Sequence, residues 1–155
     1  MSDMEDATLS LAPEDIQLKI HATDWQDALK KASEPLLADG SIEPGYVLGM
    51  IDAVKRLGPY IVIAPGLALG HARPSGDVHR PCVAVATLDE PVEFGSEAND
   101  PVDIVIILAA VDDHAHLALL KKMVLFLNQA NSFDNLRSAT TSDDAQLLAT
   151  SINQG

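Results

Sequence analysis

Two almost unbroken apolar runs, Cys82 to Thr87 and Asp103 to Ala110, constrain this chain more than any other feature. Segments so short and so uniformly apolar suit central strands buried on both faces, and such strands need cover on each side. The rest of the sequence offers that cover. Thr23 with Gln26 three residues later reads as a capping box. It opens a helix to about Leu37 that carries Trp25, Leu29, Ala32 and Leu36 on one stripe and ends at Asp39-Gly40. A second helix is expected from about Glu43, with Val47, Ile51 and Val54 inward, stopped by Gly58-Pro59. Asp112 or Asp113 caps a third helix to about Leu127, and short helices follow near Ser132 to Ser138 and Asp143 to Ile152. Ile16 to His21 alternates as a half-buried strand, and Tyr60 to Ala64 is a short apolar one. Leu88 to Pro101 is a surface excursion rich in Glu, Asp, Asn and Gly. Strands interleaved with helices predict an α/β three-layer sandwich, its central mixed and mostly parallel sheet flanked by helices. Residues 1–155 form one domain, with 1–8 expected to be a disordered tail.

Charge and cysteine usage narrow the function. The formal net charge of −13 argues against nucleic acid and against an anionic membrane surface, and it would steer a basic protein partner in. Hydrophobic residues make up 47% of the chain, so it is globular. The single cysteine, Cys82, excludes an internal disulfide and reads as a buried structural thiol. No apolar stretch is long enough for direct membrane insertion, and the acidic start Met1 to Asp6 lacks a signal pattern, so a cytoplasmic protein is expected.

The chemistry concentrates on histidine. Ala64-Pro65-Gly66-Leu67-Ala68-Leu69-Gly70-His71-Ala72-Arg73-Pro74 ends a strand, turns on Pro and Gly, and delivers His71 into a loop of small residues. An imidazole held there is reachable by two partners in turn and half neutral near pH 7, which suits a nucleophile that attacks phosphorus without a separate base. A passive loop histidine is the alternative. In Asp112-Asp113-His114-Ala115-His116, the spacing places His116 in the first helical turn, where free amides and the helix dipole favour an anion. His114 lies on a different face and is expected to be solvated. Arg73 is a candidate phosphate clamp or a solvated loop arginine. His79 reads as an exposed turn residue, His21 as a partly buried packing residue, and Asp100 and Asp103 as turn and cap residues. A metal-binding module is an alternative class, but zinc-type ligand spacing is absent and the expectation is no metal. Gly66 to Gly70 is not followed by Lys-Ser or Lys-Thr, so it is no nucleotide-binding loop.

The stretch from Gly58 to Ala110 resembles the enzyme IIA domain of the bacterial sugar phosphotransferase system (PTS), mannitol–fructose superfamily. The residues that carry the resemblance are Ile61-Val62-Ile63-Ala64-Pro65-Gly66-Leu67-Ala68-Leu69-Gly70-His71-Ala72. Gly58-Pro59-Tyr60 and Arg73-Pro74 make it most like the ascorbate-type branch. It continues through Pro91 to Phe94, Asn99 to Asp103 and Ala109 to Asp112, and more loosely to Phe133 to Arg137. The resemblance implies a phosphocarrier that accepts phosphate from phospho-HPr on His71 and passes it to an enzyme IIB, on a cysteine. A membrane enzyme IIC is an indirect partner, no cofactor is needed, and His116 matches the family's second histidine. A homodimer is compatible with it. A regulatory phosphorylation sensor using the same His71 is the alternative, and the lack of a DNA-binding or antiterminator domain here favours transport. One departure is Gly70, where the family usually has Pro, and Gly is expected to loosen the loop.

Overall fold

In the computed structural model, which describes residues 11–154, the two apolar runs are the middle of the protein. β4 (Cys82–Val92) and β5 (Val102–Ala109) lie antiparallel, pairing Cys82 with Ala109 through Thr87 with Ile104. β1 (Ile16–Ile20) adds to β4 in parallel, and β3 (Leu67–Gly70) adds to the other side of β5, also in parallel. β2 (Val62–Ala64) closes the edge antiparallel to β3, giving the order β1-β4-β5-β3-β2. The sheet is mixed, with its pairings divided between two parallel and two antiparallel.

Alternation along β5 explains the three layers. Val105, Ile107 and Ala109 face one core, shared with α1 (Trp25–Ala32), α2 (Glu34–Ala38) and α3 (Pro44–Leu57). Ile104, Ile106 and Leu108 face a second core, shared with α4 (Asp113–Leu127), α5 (Ser132–Ser138) and α6 (Ser142–Gln154). Every β5 residue from Ile104 to Ala109 is fully buried, as a strand covered twice must be.

Several boundaries differ from the sequence expectation, each for a local reason. The first helix starts one residue later, because Asp24 rather than Thr23 accepts the Asp27 N–H (2.8 Å), while the Asp27 carboxylate accepts from Thr23 N–H (2.9 Å). It also breaks at Ser33. Pro35 has no N–H to give the Lys31 carbonyl, which instead accepts from the Gln17 side-chain amide at 2.7 Å. β4 runs on to Val92, so the excursion after Leu88 starts as strand. Asp100 then organises it, its carboxylate accepting from the N–H groups of Phe94, Gly95 and Ser96. The 1–8 tail lies outside the described residues.

The larger difference concerns Pro65-Gly66. These residues form a two-residue hairpin turn between β2 and β3, so Leu67–Gly70 is buried strand and not loop. Pro precedes a Gly at φ +78°, the pattern a type II turn requires. Gly70 is held in that strand opposite Ile107, which replaces the expected looseness. A Cβ at Gly70 would stand 2.9 Å from the Ile107 methyl and 3.0 Å from that of Leu29, so neighbouring side chains already fill the space. At Gly66 a Cβ would come within 2.5 Å of the Arg137 guanidinium and 2.8 Å of the Asp103 carboxylate. Those two groups form a bidentate pair (2.9 and 3.1 Å) that also reaches the Pro65 carbonyl. Gly66→Ala therefore meets both a left-handed backbone and an occupied space. We expect it to lower the unfolding free energy by about 1–3 kcal/mol, read as a shifted urea midpoint at unchanged m-value. An unshifted midpoint would show that the turn relaxes without strain.

A two-histidine candidate active site

The parallel pairing of β3 with β5 brings the two expected histidines together. Both strands end at the same sheet edge, where an open α/β sheet exposes its binding crevice. His71 is the first residue after β3, and β5 leads through Asp112 into α4, which carries His116 in its first turn. The ring centroids lie 5.5 Å apart, tilted by 43°. Both rings line a cleft of about 580 Å³ between α3 and the segment after β3, together with Tyr60, Arg56, Arg73 and Asp113.

His71 is half-buried, and its Nδ1 is 2.8 Å from the Leu69 carbonyl oxygen. A carbonyl only accepts, so Nδ1 carries the proton and donates it. In the neutral ring Nε2 is then the nitrogen with the lone pair. The Tyr60 ring meets His71 edge-on at 5.4 Å.

His116 differs in both burial and charge. Its Nδ1 is buried and meets no hydrogen-bond partner among the described residues. Burial pushes the ring below the ordinary histidine value, His71 pushes in the same direction, and Asp113 opposes them. Asp112 is the N-cap, accepting from Ala115 N–H at 2.8 Å while its carbonyl accepts from His116 N–H at 3.0 Å. Of the first-turn amides, those of Ala115 and His116 are thus already engaged.

Arg73 is exposed on the cleft wall and makes no ion pair among the described residues, whereas Arg56 is held by Asp52 at 2.9 Å. His114 is exposed on α4 and does not line the cleft. His79 is exposed and bonds Glu43 at 2.7 Å. His21 is not a packing residue: its side chain is exposed and pairs with Asp89 at 3.1 Å. Asp103 faces Arg137 rather than either imidazole. Cys82 is buried, and burial pushes its thiol up to about 12, far from a reactive thiolate. Among the described residues no three His, Cys, Asp or Glu side chains gather as a metal site, and no helix is long and apolar enough to cross a membrane. Sequence reasoning missed Tyr60 and Arg56 at the cleft. The Gly-Pro-Tyr turn was the available signal for the first, and nothing local marked the second.

The fold and the cleft thus give an α/β sandwich with a half-buried histidine at a strand end, faced by a second on the next helix. The chain belongs to the family described as phosphoenolpyruvate-dependent sugar phosphotransferase system EIIA 2, which it matches over residues 10–150. It is 42% identical over 131 residues to the ascorbate-specific PTS system EIIA component of Salmonella typhimurium, covering 83% of this chain and 84% of that one. It is 40% identical to that of Escherichia coli, with the same coverage. Among solved structures, it resembles the mannitol-specific cryptic phosphotransferase enzyme IIA CmtB from Escherichia coli (TM-score 0.82, 26% identity, 94% and 97% of the two chains). It also resembles enzyme IIA in the complex of IIAMTL with phosphorylated IIBMTL from the same organism (TM-score 0.78, 25% identity, 92% and 98%). The protein is a sugar-PTS phosphocarrier, a phosphotransferase subunit that transfers phosphate by way of a histidine.

The His116 ring should sense its neighbours in the cleft. Because the folded pKa of His116 lies below the unfolded value, the unfolded chain binds the extra proton, and stability contributed by this ring falls as pH drops below about 6.5. By NMR, His116 should titrate below an ordinary histidine. His71→Ala should raise its midpoint and Asp113→Asn should lower it further. An unchanged midpoint in His71→Ala would show that the rings do not sense each other.

Proposed function

We propose that His71 is the phosphoryl acceptor and that the chain takes its phosphoryl group from phospho-HPr and passes it to an enzyme IIB. It would work in the cytoplasm, with a membrane enzyme IIC downstream. The observation that carries this reading is the 2.8 Å bond from His71 Nδ1 to the Leu69 carbonyl, which leaves Nε2 as the nucleophilic nitrogen at the cleft. The Nε2 lone pair attacks phosphorus as the donor's P–N bond breaks, and that electron pair returns to the donor's ring. Positive charge grows on the His71 imidazole during attack, and the Leu69 carbonyl stabilises it through the Nδ1 proton. In the onward step the nucleophile of enzyme IIB attacks phosphorus, and the Nε2–P electron pair returns to His71.

His116 and Arg73 would stabilise the transferring oxygens. His116 stands 5.5 Å away, ring to ring, and holds a polar nitrogen without a partner among the described residues. Arg73 is a cation on the cleft wall that makes no ion pair among the described residues. The names of the curated relatives favour an ascorbate-type transport system over a regulatory sensor. The solved complex of a mannitol IIA with a phosphorylated IIB supports IIB as the acceptor.

With phosphoenolpyruvate, enzyme I and HPr, the protein should gain one acid-labile, base-stable phosphate, and His71→Ala should gain none. Labelling that persists in His71→Ala would refute the assignment. His116→Ala should still be labelled, but rapid-quench measurement should show transfer to enzyme IIB slowed about 10²–10³-fold, the usual loss for one such donor. His114→Ala should be nearly silent. If the slow variant is His114→Ala instead, the second histidine is His114.

A further inference from the structure

The peptide unit that joins His71 to Ala72 is held at both of its polar groups by tyrosine hydroxyls. The Tyr60 hydroxyl donates to the His71 carbonyl oxygen at 3.0 Å. On the opposite side, Ala72 N–H donates to the Tyr46 hydroxyl oxygen at 3.0 Å. Tyr46 has one proton to give, and its shortest acceptor is the Leu108 carbonyl at 2.8 Å. Leu108 lies on β5 just before the turn into α4, the helix that carries His116.

We propose that Tyr46 and Tyr60 are positioning residues for phosphoryl transfer, fixing the His71–Ala72 peptide plane so that the His71 ring keeps its bond to Leu69 and its place opposite His116. The reasoning is geometric. His71 has left the β3 ladder, so no strand partner fixes its exit. Rotation of the peptide after His71 would swing its ring and stretch the 2.8 Å Nδ1 bond that sets the tautomer. The two tyrosines remove that rotation from opposite sides, one from α3 and one from the turn before β2. Tyr46 does more, because its single hydroxyl ties the His71 exit to the strand that leads to His116. It is 2% exposed, so its oxygen is shielded from competing water. Burial pushes its hydroxyl up to about 12, so it stays a donor wherever imidazole titrates.

The proposal rests on His71 as the acceptor, and the test separates the two. Long-range ¹H–¹⁵N spectra of the full chain report the His71 tautomer with no phosphoryl donor present. The wild type should show the Nδ1–H form. Tyr46→Phe strands the Ala72 N–H and the Leu108 carbonyl, and should give mixed tautomers. Its kcat for transfer to enzyme IIB should fall about tenfold at unchanged KM, the rate equivalent of one lost hydrogen bond. Tyr60→Phe, at 39% exposure, should shift both readouts in the same direction but about two- to threefold in rate, since water replaces its donor. Ile152→Val, in the core on the other face of the sheet, controls for lost stability and should leave the tautomer unchanged. An unmixed Nδ1–H tautomer with wild-type kcat in Tyr46→Phe would overturn the proposal, as would a tautomer shift in Ile152→Val. If Tyr46→Phe does not fold, Tyr60→Phe decides, and wild-type behaviour there overturns it. Failure of wild-type His71 to take phosphate would instead remove the acceptor assignment and leave the tautomer result standing.

Discussion

Parallel pairing of β3 with β5 underlies the rest of the site. With Gly70 in register with Ile107, both strands run out at one edge, so the residue after one and the helix after the other must meet. An antiparallel β3 would have sent His71 to the far end of the sheet. That orientation depends in turn on the Pro65-Gly66 hairpin, which reverses the chain in two residues and lets the short edge strand β2 lie outside. The ionic pair of Asp103 and Arg137 braces the turn from the opposite layer. A local backbone requirement is thereby joined to the placement of the nucleophile.

Around that frame, the site is built by hydrogen bonds to main chain more than by paired side chains. Leu69 orients the His71 ring, and Asp112 sets where α4 begins. The charge pattern is consistent with this economy. The chain is strongly acidic as a whole, and the cleft wall carries Asp52, Asp77 and Asp113 beside Arg73 and Arg56, so Arg73, which makes no ion pair among the described residues, is the cation left for a dianionic phosphoryl group.

Much of this was legible in the residues. Cys82 to Thr87 and Asp103 to Ala110 marked the central strands because burial on both faces leaves no polar alternation to read. Asp112-Asp113 marked the start of α4 to within one residue because a cap has few chemical solutions, and the structure takes Asp112. Leu67 to Gly70 was not legible as strand. Four small or apolar residues between a turn and a histidine look the same in a loop as in a buried edge-to-centre position, and only pairing with β5 distinguishes them. The break at Ser33 needed knowledge that Gln17, distant in sequence, would satisfy the carbonyl that Pro35 abandons. His21 misled because the apolar alternation of β1 carried over one residue past its end. The roles of Tyr46 and Tyr60 were hidden because a tyrosine in an apolar stripe does not reveal which backbone group its hydroxyl reaches.

The partner of His71 Nδ1 is a main-chain carbonyl two residues back in the same strand, and this bears on how the sequence can drift. A carboxylate partner would be a second invariant position, lost by one substitution. A peptide oxygen is present whatever side chain position 69 carries. The acceptor that sets the tautomer of the nucleophile is inherited with the strand itself, so position 69 can change its side chain while the chemistry of the histidine is retained.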